Sequence, residues 1–525
     1  MERFLRAMRQ PGAQKTIESA APTQTVTRDI GQLEKSEGLE KATVHNFDTY
    51  IAVRKPRLLD RWLDDVVRFS GSQFTFFAIL SGLLAWAFLG IPFGQSPDWQ
   101  IVISDVQAIL NMVFDSFLMR QQLNTYHELL IVSSCLRSRA ASNKKMLSKL
   151  VEAKDKEMIK AQLYELMQTE LTSDLPSENW LGRICTSVSS FLGHIATIVG
   201  FWVCIFVWIG LGPYCGWSNR WQLYINSATS ALMLFLLAFL ANIRERHNDH
   251  AARCLTSIYK ADAAFELKLR AATDYVVPND SVLVPAPQVG KVQRAINYYA
   301  DLVGTLIGIA ILMAVMVIWV LVGPAMKFDS NWWLLIGTYA GLVGMNDGFV
   351  LRNVYNKQQE HEDAQFDEMI RDDLDMLTVL GMEQPAGEQV TTFSITGRIS
   401  IAVGKFCSHE YTIVVGVVFI LGLVVGASAM GWSLTGQLLC NIPPSIVESF
   451  FTMILITGHN VGEAKRRVDL HNIYLRRLQL VTFVEKMVAK DSTNTSSSKL
   501  GDVVITAEAV NSGGSEGEKI VSTPE

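Results

Sequence analysis

The chain has 525 residues, of which 49% are hydrophobic and only 18% charged, with a formal net charge of -5 and a mean hydropathy of +0.21. These values exclude an intrinsically disordered chain and a highly charged nucleic-acid binder. Gathered as they are into long uncharged runs, the apolar residues also argue against an ordinary soluble enzyme and predict an all-α polytopic membrane protein.

In chain order, residues 1–68 are polar, hold no apolar run of signal-peptide type, and read as a cytoplasmic N-terminal tail. A helix needs about 20 residues to cross ~30 Å of hydrocarbon. Eight stretches reach that length: 69–91, 99–119, 187–211, 221–243, 302–323, 332–351, 411–431 and 434–458. They pair into four helical hairpins, 69–119, 187–243, 302–351 and 411–460, each closed by a short Gly/Pro/Trp-marked link. Linkers 120–186, 244–301 and 352–410 separate the hairpins, and 461–525 forms a C-terminal helix and tail. Within the first linker, mixed charges and helically spaced apolar residues predict an amphipathic helix from Lys144 to Leu171. The Ser/Thr-rich end that begins near residue 491 is predicted to be disordered.

Charge sets the expected orientation. Of 46 Lys and Arg residues, 44 lie on the tails and long linkers, and only Arg220 and Lys327 lie on the short links. The positive-inside rule then puts both termini and the linkers in the cytoplasm. The seven cysteines include no CxxC, so neither a disulfide framework nor a zinc cluster is readable.

The second helix of each hairpin opens alike, with WQIVIS from Trp99, WQLYIN from Trp221, WWLLIG from Trp332 and GQLLCN from Gly436. This recurrence points to duplication, and two crossings per unit make the units parallel rather than inverted repeats. Aligned on Gln100, Gln222, Trp333 and Gln437, steps of 4, 8, 11 and 15 residues fall on one helical stripe. The stripe reads Ser104, Ala108, Asn111, Asp115 in the first unit and Asn226, Ser230, Met233, Leu237 in the second. It continues as Gly337, Gly341, Gly344, Gly348 and as Asn441, Ser445, Glu448, Thr452. Fourteen of these sixteen residues are small or polar, as expected of the inner faces of four helices around a shared axis.

Three acids, Asp115, Asp347 and Glu448, lie deep in these helices at about 16 to 23 Å from the outer end. Asp347 is one place off the stripe, and Asp105 lies nearer the outside and is also offset. With Asn111, Asn226 and Asn441, these acids would supply the oxygen donors that hard or borderline divalent cations accept. The competing reading is that the acids are protonated and only hydrogen-bond between helices. Pro443 and Pro444, just before Glu448, are expected to kink or break the helix and free carbonyls. Eight histidines, at 127, 194, 247, 250, 361, 409, 459 and 471, fall at inner helix ends or beyond, where metal reception or a structural role would serve. No Walker, GxSxG or HExxH motif supports an enzyme.

The chain resembles the low-affinity iron(II) permeases of the fungal plasma membrane over most of residues 1–490. The likeness is carried by Asp98-Trp99-Gln100, Met119-Arg120-Gln121-Gln122-Leu123, Asn179-Trp180, Asn331-Trp332-Trp333-Leu334 and Asp347-Gly348-Phe349-Val350-Leu351-Arg352. Trp432-Ser433 with Thr435-Gly436-Gln437-Leu438 adds to it, as do Pro11-Gly12-Ala13 and Ala21-Pro22-Thr23 near the start. Trp221 to Asn226 also resembles the short single-hairpin bacterial members. Two positions depart from the fungal pattern, Ser449 after Glu448, where the family is associated with a pair of acids, and Asn346 for an apolar residue before Asp347.

The resemblance implies uptake of iron(II) with tolerance of copper, zinc and other divalent ions. The expected partners are divalent metal ions and the lipid bilayer, with no nucleic acid; a homo-oligomer stays open. No cofactor is expected, the metal being cargo. Transport would be electrophoretic or proton-assisted. A non-metal cation channel and a membrane scaffold or sensor without flux are the alternatives.

Overall fold

The computed structural model describes residues 16–28, 42–45, 55, 57–154, 156–167, 175–328, 330–382 and 395–495. One order of elements recurs four times along them. A short helix with an exposed apolar face leads, after a break of one or two residues, into an apolar helix, a tight turn and a very long helix. The first set is α1 (Leu58–Ser70), α2 (Gln73–Phe93) and α3 (Pro97–Ala153), followed by the extra helix α4 (Lys156–Met167). The second is α5 (Trp180–Leu192), α6 (Ile195–Leu211) and α7 (Asn219–Thr273). The third is α8 (Lys291–Gly304), α9 (Leu306–Val322) and α10 (Ser330–Leu380), and the fourth is α11 (Ile395–Cys407), α12 (Glu410–Ala429) and α13 (Leu434–Thr495).

Polar side chains that satisfy free helix ends make each break. Ser72, His194 and His409 are N-caps whose side chains accept from the backbone N–H of Thr75, Ala196 and Tyr411. Three residues further on, the hydroxyls of Thr75, Thr197 and Thr412 reach back to the carbonyls of Phe69, Phe191 and Phe406, at 2.8, 2.6 and 3.0 Å. In the third set Thr305 takes the cap position and bonds the Leu302 carbonyl, and Gly308 stands where the others have threonine. A Cβ on Gly308 would run into the carbonyls of Leu302 and Val303 across the tighter bend.

The expected crossings 187–211 and 302–323 are therefore not single straight helices. They bend by 52° and 66° at these breaks, because the capping residues end one helix and start another. Among the described residues six helices, α2, α3, α7, α10, α12 and α13, are long and apolar enough to cross a membrane by themselves, and the two bent pairs raise the number to eight if each is one crossing. The amphipathic stretch from Lys144 is also divided: it ends α3 and resumes as α4, and its last residues lie outside the described ones. At the C-terminus, 491–495 complete α13, while 496–525 fall outside the described residues.

The turns explain why Trp and Gln recur. Trp86 and Trp99 stack at 4.4 Å, and each indole N–H donates to the other's carbonyl. Trp319 and Trp332 repeat that arrangement bond for bond, while Trp208 and Trp221 stack at 3.8 Å. In the fourth set Leu423 and Gly436 occupy the two positions. The amides of Gln100, Gln222 and Gln437 donate to the turn carbonyls of Gly94, Trp217 and Trp432. Each pair of helices is thus clamped at its turn by local bonds.

The four long helices form an inner ring in the order α3, α7, α13, α10 and back to α3. Each apolar helix packs outside the next long helix around that ring. Phe76 of α2 meets Phe235 and Phe239 of α7, and Trp202 of α6 meets Phe450 of α13. Gly416 of α12 lies against Phe349 of α10, and Leu312 and Met316 of α9 pack with Ala108 and Met112 of α3. Consequently the most apolar stretch of α2 is 6% buried and that of α13 is 78% buried, although both are apolar enough to span.

Beyond the apolar zone the long helices continue as a four-helix bundle. Its core has a buried ionic layer that joins all four helices: Arg139, Asp262 with Glu266, Asp373, and Arg477. Above and below lie apolar clusters such as Met146, Leu147, Phe265, Met376, Leu480 and Phe483. The strands β1 (Ile17–Ser19), β2 (Thr25–Arg28), β3 (Ala42–His45) and β4 (Val282–Val284) pair antiparallel as β1 with β4 and β2 with β3, which ties the N-terminal segment to the linker after α7.

Candidate ion pathway

The polar stripe lies inside the ring. Asn111, Asp115, Asn226, Asn441 and Glu448 are all buried, on helices whose opposite faces carry Leu, Ile and Phe. At the level of Asn111, three helices converge: its Nδ2 donates to Glu448 Oε1 at 2.5 Å across the axis, and Gly344 of α10 presents bare backbone to both. Asp115 is one turn further along α3 and within electrostatic reach of Glu448 and Asp347. Glu448 Oε2, Asp115 Oδ2 and Asn111 Oδ1 are buried without a hydrogen-bond partner. Oxygens in that state have acceptor capacity to give a cation or a water.

The other residues singled out in the sequence are spread along or beside this centre. Asn226 donates to Ser104 at 3.0 Å between α7 and α3, and Thr229 meets Ser445 at 3.0 Å between α7 and α13. Asn441 lies against Gly337 and Gly341 of α10. Asp347 faces a lateral cleft of about 210 Å³ between α3, α8, α9 and α10, where its Oδ1 accepts from the Tyr299 hydroxyl at 2.6 Å. Asp105 is buried nearer the N-terminal end of α3 and takes part in none of these contacts. Among the described residues, no three His, Cys, Asp or Glu side chains are grouped to hold a metal ion. The donors are thus distributed in depth, with amides between carboxylates.

Pro443 and Pro444 do not break α13, which runs through them unbroken. Neighbouring α10 is glycine where it meets this turn. Pro444 has no N–H for the Cys440 carbonyl, and that oxygen lies 3.0 Å from where a Cβ of Gly341 would sit. The freed carbonyl thus faces α10.

Histidines mostly have structural partners. His194 and His409 cap helices, His361 meets the Tyr126 hydroxyl at 2.7 Å, and His247 and His459 stack with Nδ1 and Nε2 2.9 Å apart. Tyr299 was missed by the sequence reading, since it belongs to a different element and no local spacing links it to Asp347. The glycines of α10 were legible as small, but not as the gap that admits Asn111 and Glu448. A Cβ on Gly344 would collide with Asn111 Nδ2 and come within 2.8 Å of Glu448 Oε1. Gly344→Ala is therefore expected to lower transport about tenfold or more while the protein still assembles, as checked by initial uptake rate per folded molecule.

The chain matches the family profile described as low affinity iron permease over residues 181–257, 292–390 and 396–508. It is 37% identical over 506 residues to the low-affinity iron/zinc ion transport protein fet4 of Schizosaccharomyces pombe, covering 93% of this chain and 85% of that protein. It is 36% identical over 459 residues to the low-affinity Fe(2+) transport protein of Saccharomyces cerevisiae, covering 81% and 83%. No solved structure matches it.

Proposed function

This chain belongs to the low-affinity iron permease family, and from that premise we propose that it carries iron(II) and other divalent metal ions, zinc among them, into the cell at low affinity. The finer reading is a multi-pass plasma-membrane protein of eight crossings in four parallel hairpins, with both termini cytoplasmic. Supporting it are the fourfold recurrence of the capped break, the Trp pairs and turn glutamines each present in three of the four units, and the placement of 44 of 46 Lys and Arg off the short links.

The observation that carries the reading is the pair of buried carboxylates, Glu448 and Asp115, with unpartnered oxygens inside a ring of four helices. Asp105 and Asn441 would receive the ion, Asn226 and Asn111 would lie along its way, and Glu448, Asp115 and Asp347 would pass it inward. Two charges falling through 100 mV release about 4.6 kcal/mol, so the membrane potential suffices as the driving force. Ligands at several depths, none of them a complete cage, favour rapid release.

Purified protein in liposomes with an inside-negative potential is expected to take up radioactive iron(II), with zinc and copper competing. Absence of flux would instead support a scaffold, and flux indifferent to all three metals a non-metal channel.

A further inference from the structure

Between the axial carboxylates and the cytoplasm, the same helical stripe carries two further layers. Eighteen residues on from Gln100, Gln222, Trp333 and Gln437, every unit has leucine: Leu118, Leu240, Leu351 and Leu455. All four are at most 3% exposed and belong to one apolar cluster. Twenty-two residues on come Gln122, Arg244, Tyr355 and His459. These four meet: Arg244 Nη2 donates to Gln122 Oε1, its guanidinium lies 5.9 Å from the Tyr355 ring, and that ring lies 6.3 Å from His459. Together they border an enclosed cavity of only about 20 Å³, room for about one water. Arg244 is buried, and its Nη1 has no partner.

Asn111 and Glu448 meet on one side of the leucines and the Gln122 to His459 layer meets on the other, so the leucines lie between two levels at which the inner faces of the helices touch. An ion leaving Asp115 would meet four isobutyl groups that offer no oxygen, and then the Arg244 guanidinium, in a cavity whose two carboxylates, Glu362 and Glu463, are already paired with Arg466 and Arg467. We propose that Leu118, Leu240, Leu351 and Leu455 are an apolar constriction and Arg244 a cation barrier, which together form the inner gate of the pathway, closed in this structure. An apolar constriction excludes a hydrated ion by dewetting, and a fixed guanidinium repels it. Leucine serves equally well as plain packing, but packing alone does not require one residue type at one register in four divergent helices. Opening would need the four helices to part at this level and carry Arg244 off the axis.

The gate rests on the axial reading of the pathway, and the experiment separates the two. Iron(II) uptake into liposomes is measured for wild type, Glu448→Gln, Arg244→Gln, and alanine at each of the four leucines in turn. Arg244→Gln and the alanine variants are expected to raise the initial rate on the order of tenfold and to admit sodium, and adding Glu448→Gln to any of them should lower the iron rate again. A gain that Glu448→Gln reverses runs through the pathway, whereas leakage through a bilayer disturbed by a damaged protein would not depend on Glu448 and would overturn the gate. If Glu448→Gln stops uptake but no folded gate variant exceeds wild type, the gate is overturned and the pathway stands. If Glu448→Gln transports as wild type does, both fall.

Discussion

Glu448→Gln and Asp115→Asn are each expected to reduce iron(II) uptake about a hundredfold without removing the protein from the membrane. Both changes keep shape and one acceptor oxygen, through which a glutamine at 448 still takes the hydrogen bond from Asn111, while the other oxygen becomes an NH2 donor. What is lost is charge. Unit charges 4 Å apart attract by about 4 kcal/mol at an effective dielectric constant of ~20, so a divalent ion beside one carboxylate gains about twice that. Losing only a third of this, about 2.7 kcal/mol, slows crossing about a hundredfold. The two carboxylates are in electrostatic reach of each other, so the double variant should cost less than the product of the singles. Asp347→Asn should have a smaller effect, because Asp347 faces the lateral cleft and is already held by Tyr299. Uptake per folded molecule decides: a near-normal rate in Glu448→Gln would return these acids to the role of neutral interhelical hydrogen-bonding groups.

Asp262→Ala is expected to destabilise the protein by about 3–5 kcal/mol, the usual cost of leaving buried charges without their partner. Asp262 accepts from Arg477, lies 3.6 Å from Arg139, and is fully buried. Its removal leaves Arg139 and Arg477 with only Glu266 and Asp373, carboxylates that already serve Arg270 and Arg476, so the buried layer is left with excess positive charge. The exposed pair Lys160–Glu157 is the control: Lys160→Ala should leave the melting temperature unchanged, since exposed i,i+3 pairs hold little net stability. A thermal melt in detergent reads both, and an unshifted Asp262→Ala transition would mean that water reaches the layer and solvates the freed charges.

Much of the repeat was written in single stretches of sequence. The Trp and Gln that open the long helices act through bonds to residues within about a dozen positions, so their recurrence could be seen without any fold. The first half of each unit is harder to read, because its cap is Ser72, His194, Thr305 and His409 in turn and no one residue type repeats. The bends within 187–211 and 302–323 are hidden as well, since a hydropathy window averages over one capping residue while the backbone turns at it. At Pro443 and Pro444 the helix is not broken, and α13 runs through both. What the freed carbonyl meets depends on the neighbouring helix, and here it is Gly341.

Sequence alone determined which segments are apolar enough for a bilayer, which face of each long helix is polar, and where the long helix of each unit opens, because each of these depends on residues within a few turns of one another. Tertiary structure decided the ring order α3, α7, α13, α10, the contact of Asn111 with Glu448 from helices that are not ring neighbours, and the withdrawal of Asp347 toward Tyr299. Helical periodicity fixes a direction from each axis and nothing about who stands opposite. That partner is chosen by side-chain shape, by where glycine lets backbones approach, and by how each apolar helix reaches over to the next unit.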